Sequence, residues 1–150
     1  MTFFRFVASG FGIGFLPRAP GTAGALLGLV LGIPLLLAPP FVLPTACLLV
    51  SLLGFWAIRA ARIEGDPGWV VIDEIAGQWV ALLGLARPTV IGFAAAFVLF
   101  RVFDIVKPGP VGWADRQGGA AGIMADDLIA GAIAAGILWA VQQRWPGVLG

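Results

Sequence analysis

The sequence predicts an all-α fold, a compact membrane bundle of about five helices with glycine-rich cytoplasmic loops. Hydrophobic residues make up 60% of the chain and charged residues only 11%, with a mean hydropathy of +1.01. A soluble domain carries roughly a quarter charged residues. The apolar residues are also gathered into long stretches, most of them free of charge, and such stretches are the mark of helices that cross a bilayer. With 150 residues the chain is read as one domain, 1–150.

The opening, MTFFRFVASGFGIGFLPRAPG, has an early Arg5 and a short apolar run. Gly10, Gly12 and Gly14 break that run and no small-x-small cleavage site follows, so it is read as part of the mature protein. The first helix is expected over 22–38. It has no charge, and Gly24, Gly28 and Gly32 repeat at the four-residue spacing that lets helices approach closely in lipid. The second, over 41–58, is also uncharged and holds Cys47. A single cysteine excludes a disulfide framework and a cysteine-based metal site. The third, over 75–86, is short against the roughly 20 residues of a full span. It follows Asp73 and Glu74, acids that protein must shelter if the helix starts deep. Arg87-Pro88 turns the chain into a fourth helix over 89–106. The fifth, over 128–143, repeats the small-residue spacing with Gly131 and Ala135.

With the N-terminus inside, the segments 1–21, 59–74 and 101–127 face the cytoplasm. They carry Arg5, Arg18, Arg59, Arg62, Arg101, Lys107 and Arg116, whereas the other side has only Arg87 and Arg144. That bias sets the orientation by the positive-inside rule. All eight acids, Glu64, Asp66, Asp73, Glu74, Asp104, Asp115, Asp126 and Asp127, fall on the same side. Acids contribute little to the topology rule, so their segregation has another cause: a site on the cytoplasmic face, assembled from separate segments. Trp56, Trp69 and Trp113 lie near that interface, as anchoring aromatics do.

Each acidic group has a structural reading beside the functional one. Asp73-Glu74 follows the turn signal Asp66-Pro67-Gly68 and opens a helix, where acids cap free N–H groups and suit the dipole. Asp126-Asp127 is placed in the same way at the start of the last helix. Arg101, Asp104 and Lys107 follow one another at three-residue spacing, which makes either a self-neutralising ladder at the interface or the lining of a polar cavity. Two glycine-rich loops, 10–22 and 118–127, each run into a helix start, where backbone N–H groups hold anions. Arg18, Thr22 and Arg116 beside them point to a phosphate. Clustered carboxylates in a chain without histidine suit a hard cation such as Mg²⁺. Metal and cations together suggest phosphoryl chemistry. No Cys-x₅-Arg loop, Asp-x-Asp pair or Asp-Gly-x-x-Ala-Arg pattern occurs, and a phosphohistidine route has no histidine to use. The net charge of +1 and the lack of a basic tract leave no case for nucleic acid.

GIGFLPRAPGTAG (12–24), DPGWVVIDEIAGQW (66–79), FRVFDIVKPGPVGWADR (100–116) and GGAAGIMADDLIAG (118–131), in that order, resemble the phosphatidylglycerophosphatase A family. The resemblance implies a Mg²⁺-dependent enzyme of the bacterial inner membrane that removes the terminal phosphate of phosphatidylglycerophosphate, leaving phosphatidylglycerol. Our own assignment of roles makes Asp73, Asp104 and Asp127 catalytic. Asp73, Glu74, Asp104, Asp126 and Asp127 are the metal candidates, with Asp115 next, and Arg18, Thr22, Arg101, Lys107 and Arg116 bind substrate. The site would take the headgroup sideways from the bilayer. Two other readings compete. A proton- or ion-coupled transporter would hold its acids near the middle of spans, whereas these sit at helix ends and in loops. A purely structural subunit would explain the glycine stripes and leave the acids unexplained.

Overall fold

The computed structural model describes residues 2–150, and every regular element in them is helical. A short helix α1 (Phe3–Ala8) and a single 3₁₀ turn (Ile13–Phe15) precede α2 (Pro20–Leu37) and α3 (Val42–Ala60). Then come α4 (Ile72–Leu82), α5 (Val90–Val106), the short α6 (Pro110–Asp115) and α7 (Gly119–Arg144). The all-α class holds, but seven helices replace the expected five. The additions α1 and α6 are short pieces in segments read from sequence as connections. Each has a local cause. Thr2 caps α1 by accepting from the N–H of Arg5, and Pro110 at the start of α6 loses nothing there by its missing N–H.

Helix α4 is the centre of the bundle, with α2, α3, α5 and α7 packed around it. At 11 residues it is about 16 Å long, roughly half a hydrocarbon core. Three helices, α2, α3 and α7, are long and apolar enough to cross a membrane. The glycine stripe of α2 does what its spacing predicts: Gly24 lies against Val71, Gly28 against Ile75 and Gln78, and Gly32 against Trp79 and Leu82. This order shows that α2 and α4 run parallel. On the other side of α4, Gly131 rests on the Gly77 carbonyl and Gly84 on the Ala135 backbone, so α7 runs parallel to it as well. Three helix N-termini, each with its positive dipole end, therefore gather at one end of the bundle.

The largest boundary correction concerns α7. The sequence predicts a loop over 118–127 with the helix starting at 128, yet the helix begins at Gly119. Asp126 and Asp127 thus lie in its third turn. Neither can cap its N-terminus, because the orphan N–H groups belong to the first turn. The first glycine-rich stretch does hold a loop, closed by Ser9: its hydroxyl donates to the Phe6 carbonyl and accepts from the Gly12 N–H.

Candidate active site

The acids converge where α2 and α4 begin and the parallel α7 is in its third turn. Asp73 and Glu74 stand in the first turn of α4, and Asp127 reaches them from α7. One carboxylate oxygen from each of the three lies within 4.8 Å of the other two. Asp73 and Asp127 are 6% and 3% exposed, so water screens them little. Local bonds fix their directions. The Glu74 N–H donates to Asp73 Oδ1 at 3.1 Å, and the Asp127 N–H donates to Asp126 Oδ1 at 2.9 Å.

Cations hold the surrounding acids. Arg101 on α5 pairs with Asp104 one turn on, and its Nη2 reaches Thr22 Oγ1 on α2 at 3.5 Å. Lys107 does not continue that pair as a ladder. The helix ends before it, and Lys107 takes a left-handed φ of +49°, with its N–H closing on the Phe103 carbonyl. That conformation costs a residue with a Cβ about 1–2 kcal/mol. The turn carries Lys107 Nζ to Asp126 on α7, at 2.6 Å, and to Asp115 on α6. Burial opposes the charge on Lys107, but hydrogen bonds to Asp115 and Asp126 outweigh it and hold the ammonium above the usual lysine range.

Gly21 is a site glycine that sequence reasoning took for part of a loop. It sits in the first turn of α2, and a Cβ there would overlap the Glu74 carboxylate and lie 3.4 Å from Arg101 Nη2. Only a bare backbone lets that acid and that guanidinium meet over α2. The PGT triplet 20–22 was the available signal: proline at the helix start, then glycine, then a hydroxyl.

Thr22, Arg101, Asp104, Lys107, Asp115, Asp126, Asp73, Glu74 and Asp127 are thus drawn into one region. Arg18 and Arg116 are not held the same way: both are exposed and, among the described residues, form no ion pair. Of the metal candidates, the trio Asp73, Glu74 and Asp127 makes the tight group. Asp126 is engaged by Lys107, and Asp104 by Arg101.

The trio fits a hard divalent cation. Its donors are all carboxylate oxygens, and two of them, Glu74 Oε2 and Asp127 Oδ2, are buried without a partner. So is Arg101 Nε. Buried groups of this kind cost about 1–3 kcal/mol each when left unpaired, more when charged. Carboxylates this close repel one another as well, and a cation among them would offset that repulsion and give Asp127 Oδ2 a partner.

The signature of the family Phosphatidylglycerophosphatase A matches residues 6–142. The chain is 37% identical to phosphatidylglycerophosphatase A of Escherichia coli (strain K12) over 148 residues, covering 95% of this chain and 86% of that protein. The counterpart of the same name in Haemophilus influenzae is 36% identical over 143 residues, covering 91% of this chain and 86% of its own. A Bacteroides thetaiotaomicron protein named as a candidate phosphatidylinositol-3-phosphatase is 44% identical over 151 residues, covering 93% and 92%. No solved structure matches.

Proposed function

The chain belongs to the phosphatidylglycerophosphatase A family, and from that premise we propose that it hydrolyses the terminal phosphate monoester of phosphatidylglycerophosphate, giving phosphatidylglycerol and inorganic phosphate. The reaction is Mg²⁺-dependent and takes place at the cytoplasmic face of the bacterial inner membrane. The observation that carries this reading is the trio Asp73, Glu74 and Asp127, buried beside an Arg101 whose Nε has no partner. The excess of Arg and Lys on the acid-bearing segments supports the orientation.

Asp73, Glu74 and Asp127 would hold Mg²⁺. Held there, it would supply positive charge to offset the charge that develops on the phosphoryl oxygens. Arg101 supplies the second positive charge, with Nε free for a phosphate oxygen and Nη2 braced by Thr22. Lys107 keeps Asp126 and Asp115 in place, and through them the junction of α6 with α7. The substrate oxygen to be displaced is the glycerol oxygen of the monoester. A water oxygen bonds to phosphorus, the bond from phosphorus to that glycerol oxygen breaks, and the water proton passes by way of a carboxylate to the departing oxygen. We assign that transfer to Asp104, which borders Asp127 and shares Arg101 with the phosphate. Arg18 and Arg116, exposed at the rim, meet the rest of the anionic headgroup. The acyl chains stay in the bilayer.

The test is phosphate release from phosphatidylglycerophosphate by purified protein in mixed micelles, with Mg²⁺ and with EDTA. Mg²⁺-dependent release is expected, and no release under either condition would overturn the reading. Phosphatidylinositol 3-phosphate is assayed alongside, because the Bacteroides relative carries that name. Both substrates present a phosphate monoester on a glycerophospholipid headgroup, so relative kcat/KM decides between them.

A further inference from the structure

Gln78 is wholly buried in α4, and neither its Nε2 nor its Oε1 has a hydrogen-bond partner. It has no part in the chemistry above. An amide left unpaired in an apolar interior is costly, and natural interiors pair or hydrate nearly all such groups. Its position suggests what it pairs with. Gln78 is four residues beyond Glu74, hence one turn further along the same face of α4. Both face α2: Glu74 lies on Gly21, and a Cβ at Gly28, two turns further along α2, would be 3.2 Å from Gln78 Cβ. Glu74 Oε2 is a buried acceptor without a donor, and Gln78 Nε2 is a buried donor without an acceptor.

We propose that Gln78 is a positioning residue for Glu74. Its amide N–H bonds Glu74 Oε2 through one internal water, leaves the other carboxylate oxygen for the cation, and fixes the carboxylate toward Asp73 and Asp127. This rests on the Mg²⁺ reading of the trio. Groups that orient a metal-ligating carboxylate commonly change metal affinity about 10–100-fold when removed. Gln78 itself has no contact with substrate in this scheme.

Gln78→Met keeps the volume and removes the amide. The measurement is thermal unfolding in detergent across a Mg²⁺ titration, read beside kcat and KM. In the metal-free protein the variant should melt close to the wild-type temperature, because the lost hydrogen bond is offset by burying an apolar side chain in place of an amide. The Mg²⁺ concentration giving half of the stabilisation should rise about tenfold, with kcat lowered at limiting Mg²⁺ and KM unchanged. In a Glu74→Gln background the same substitution should add nothing to the Mg²⁺ midpoint, since Gln78 acts only through Glu74. A folded variant with an unchanged midpoint overturns the proposal. So does a large drop in metal-free melting temperature, which marks a packing role, and so does full additivity with Glu74→Gln. If wild-type protein shows no Mg²⁺-dependent shift at all, the metal reading falls first and this inference with it.

Discussion

The two ends of this bundle handle their polar groups in opposite ways. At the end where α4 stops, the exposed backbone is paired off. Gln142 on α7 donates to the Gly84 carbonyl and accepts from the Ala86 N–H, at 2.7 and 2.9 Å. The Thr89 hydroxyl donates to the Leu149 carbonyl while capping α5 through the Gly92 N–H. At the acid end, Glu74, Asp127 and Arg101 each keep a buried atom without a partner. One end is closed by its own hydrogen bonds, and the other is completed only when something else enters. Unpaired buried groups are the price of a site prepared for a ligand, and the hydrogen-bonded end carries stability that tolerates them.

The sharpest way to break that contrast is to remove charge from the trio. Asp73→Asn, Glu74→Gln and Asp127→Asn preserve shape. Each should lower kcat about 10³-fold or more, since phosphate monoester hydrolysis is among the slowest uncatalysed reactions and the site has much to lose. Stability should move the other way. Each change relieves repulsion among buried carboxylates, so the metal-free protein should melt about 2–4 °C higher for each kcal/mol recovered. The Mg²⁺ concentration needed for the Mg²⁺-dependent increase should rise in each variant. Phosphate release and melting curves on the three variants check both. Near-normal turnover in all three would remove the trio from the chemistry.

Lys107 comes next, because it belongs to the charged end yet is satisfied. The sequence places Lys107 among the substrate-binding candidates. Bonded to Asp115 on α6 and Asp126 on α7, it also ties two helices together. Lys107→Ala should therefore cost about 2 kcal/mol, less than a fully buried pair because the ammonium is partly exposed, and lower kcat by about tenfold or more through misplaced Asp126 and Asp127. The sign with pH follows from the raised pKa. The pair's stabilisation is complete below the ordinary lysine value near 10.5 and is lost only as pH rises through the folded value. The wild-type advantage over Lys107→Ala should thus be flat from about pH 6.5 to about 9, measured by denaturation at each pH.

What the sequence disclosed and what it hid divide along the same line. Apolar runs gave the long helices, because burial in lipid or against neighbours leaves a direct mark on composition. The glycine spacing of α2 reads as close packing and does serve that end against α4. The acids were legible because charges of one sign, clustered in so apolar a chain, need a polar site to hold them, and six of the eight are drawn into one. The start of α7 was misread. GGAAG looks like a loop by local propensity, but Gly122 fits against the Ala114 carbonyl of α6, and packing overrides propensity there. Gln78 and Gly21 were missed for a related reason: their roles depend on a neighbouring helix, and no spacing within one segment reports it.

The paired end supplies the next test. Gln142→Leu removes the side chain that serves Gly84 and Ala86, leaving backbone groups at a partly buried turn without partners. The expected loss is about 1–3 kcal/mol of stability, with kcat per folded molecule unchanged because the site lies at the other end. A kcat that falls along with stability would show that the two ends are coupled and weaken the contrast.

The smallest effects should come from Arg18 and Arg116, the predicted substrate ligands that the fold leaves at the rim. Neither forms an ion pair among the described residues, so neither is committed to holding the protein together. An exposed cation meeting an anionic headgroup acts across water, where a favourable contact gives roughly 0.2–1 kcal/mol and salt screens it. Arg18→Ala and Arg116→Ala should therefore raise KM about two- to fivefold at low ionic strength, leave kcat and melting temperature where they were, and converge on wild type as salt is raised. Micelle assays at about 20 and 300 mM salt separate this from the behaviour of Arg101, which is shielded from solvent beside Glu74. Arg101→Ala should lower kcat at both salt concentrations, because the role proposed for its unpartnered Nε is to bond the transferred phosphoryl group rather than the approaching headgroup. If Arg116→Ala lowers kcat equally at both, the rim is part of the reaction centre, and the boundary between paired, unpaired and exposed charge has to move outward.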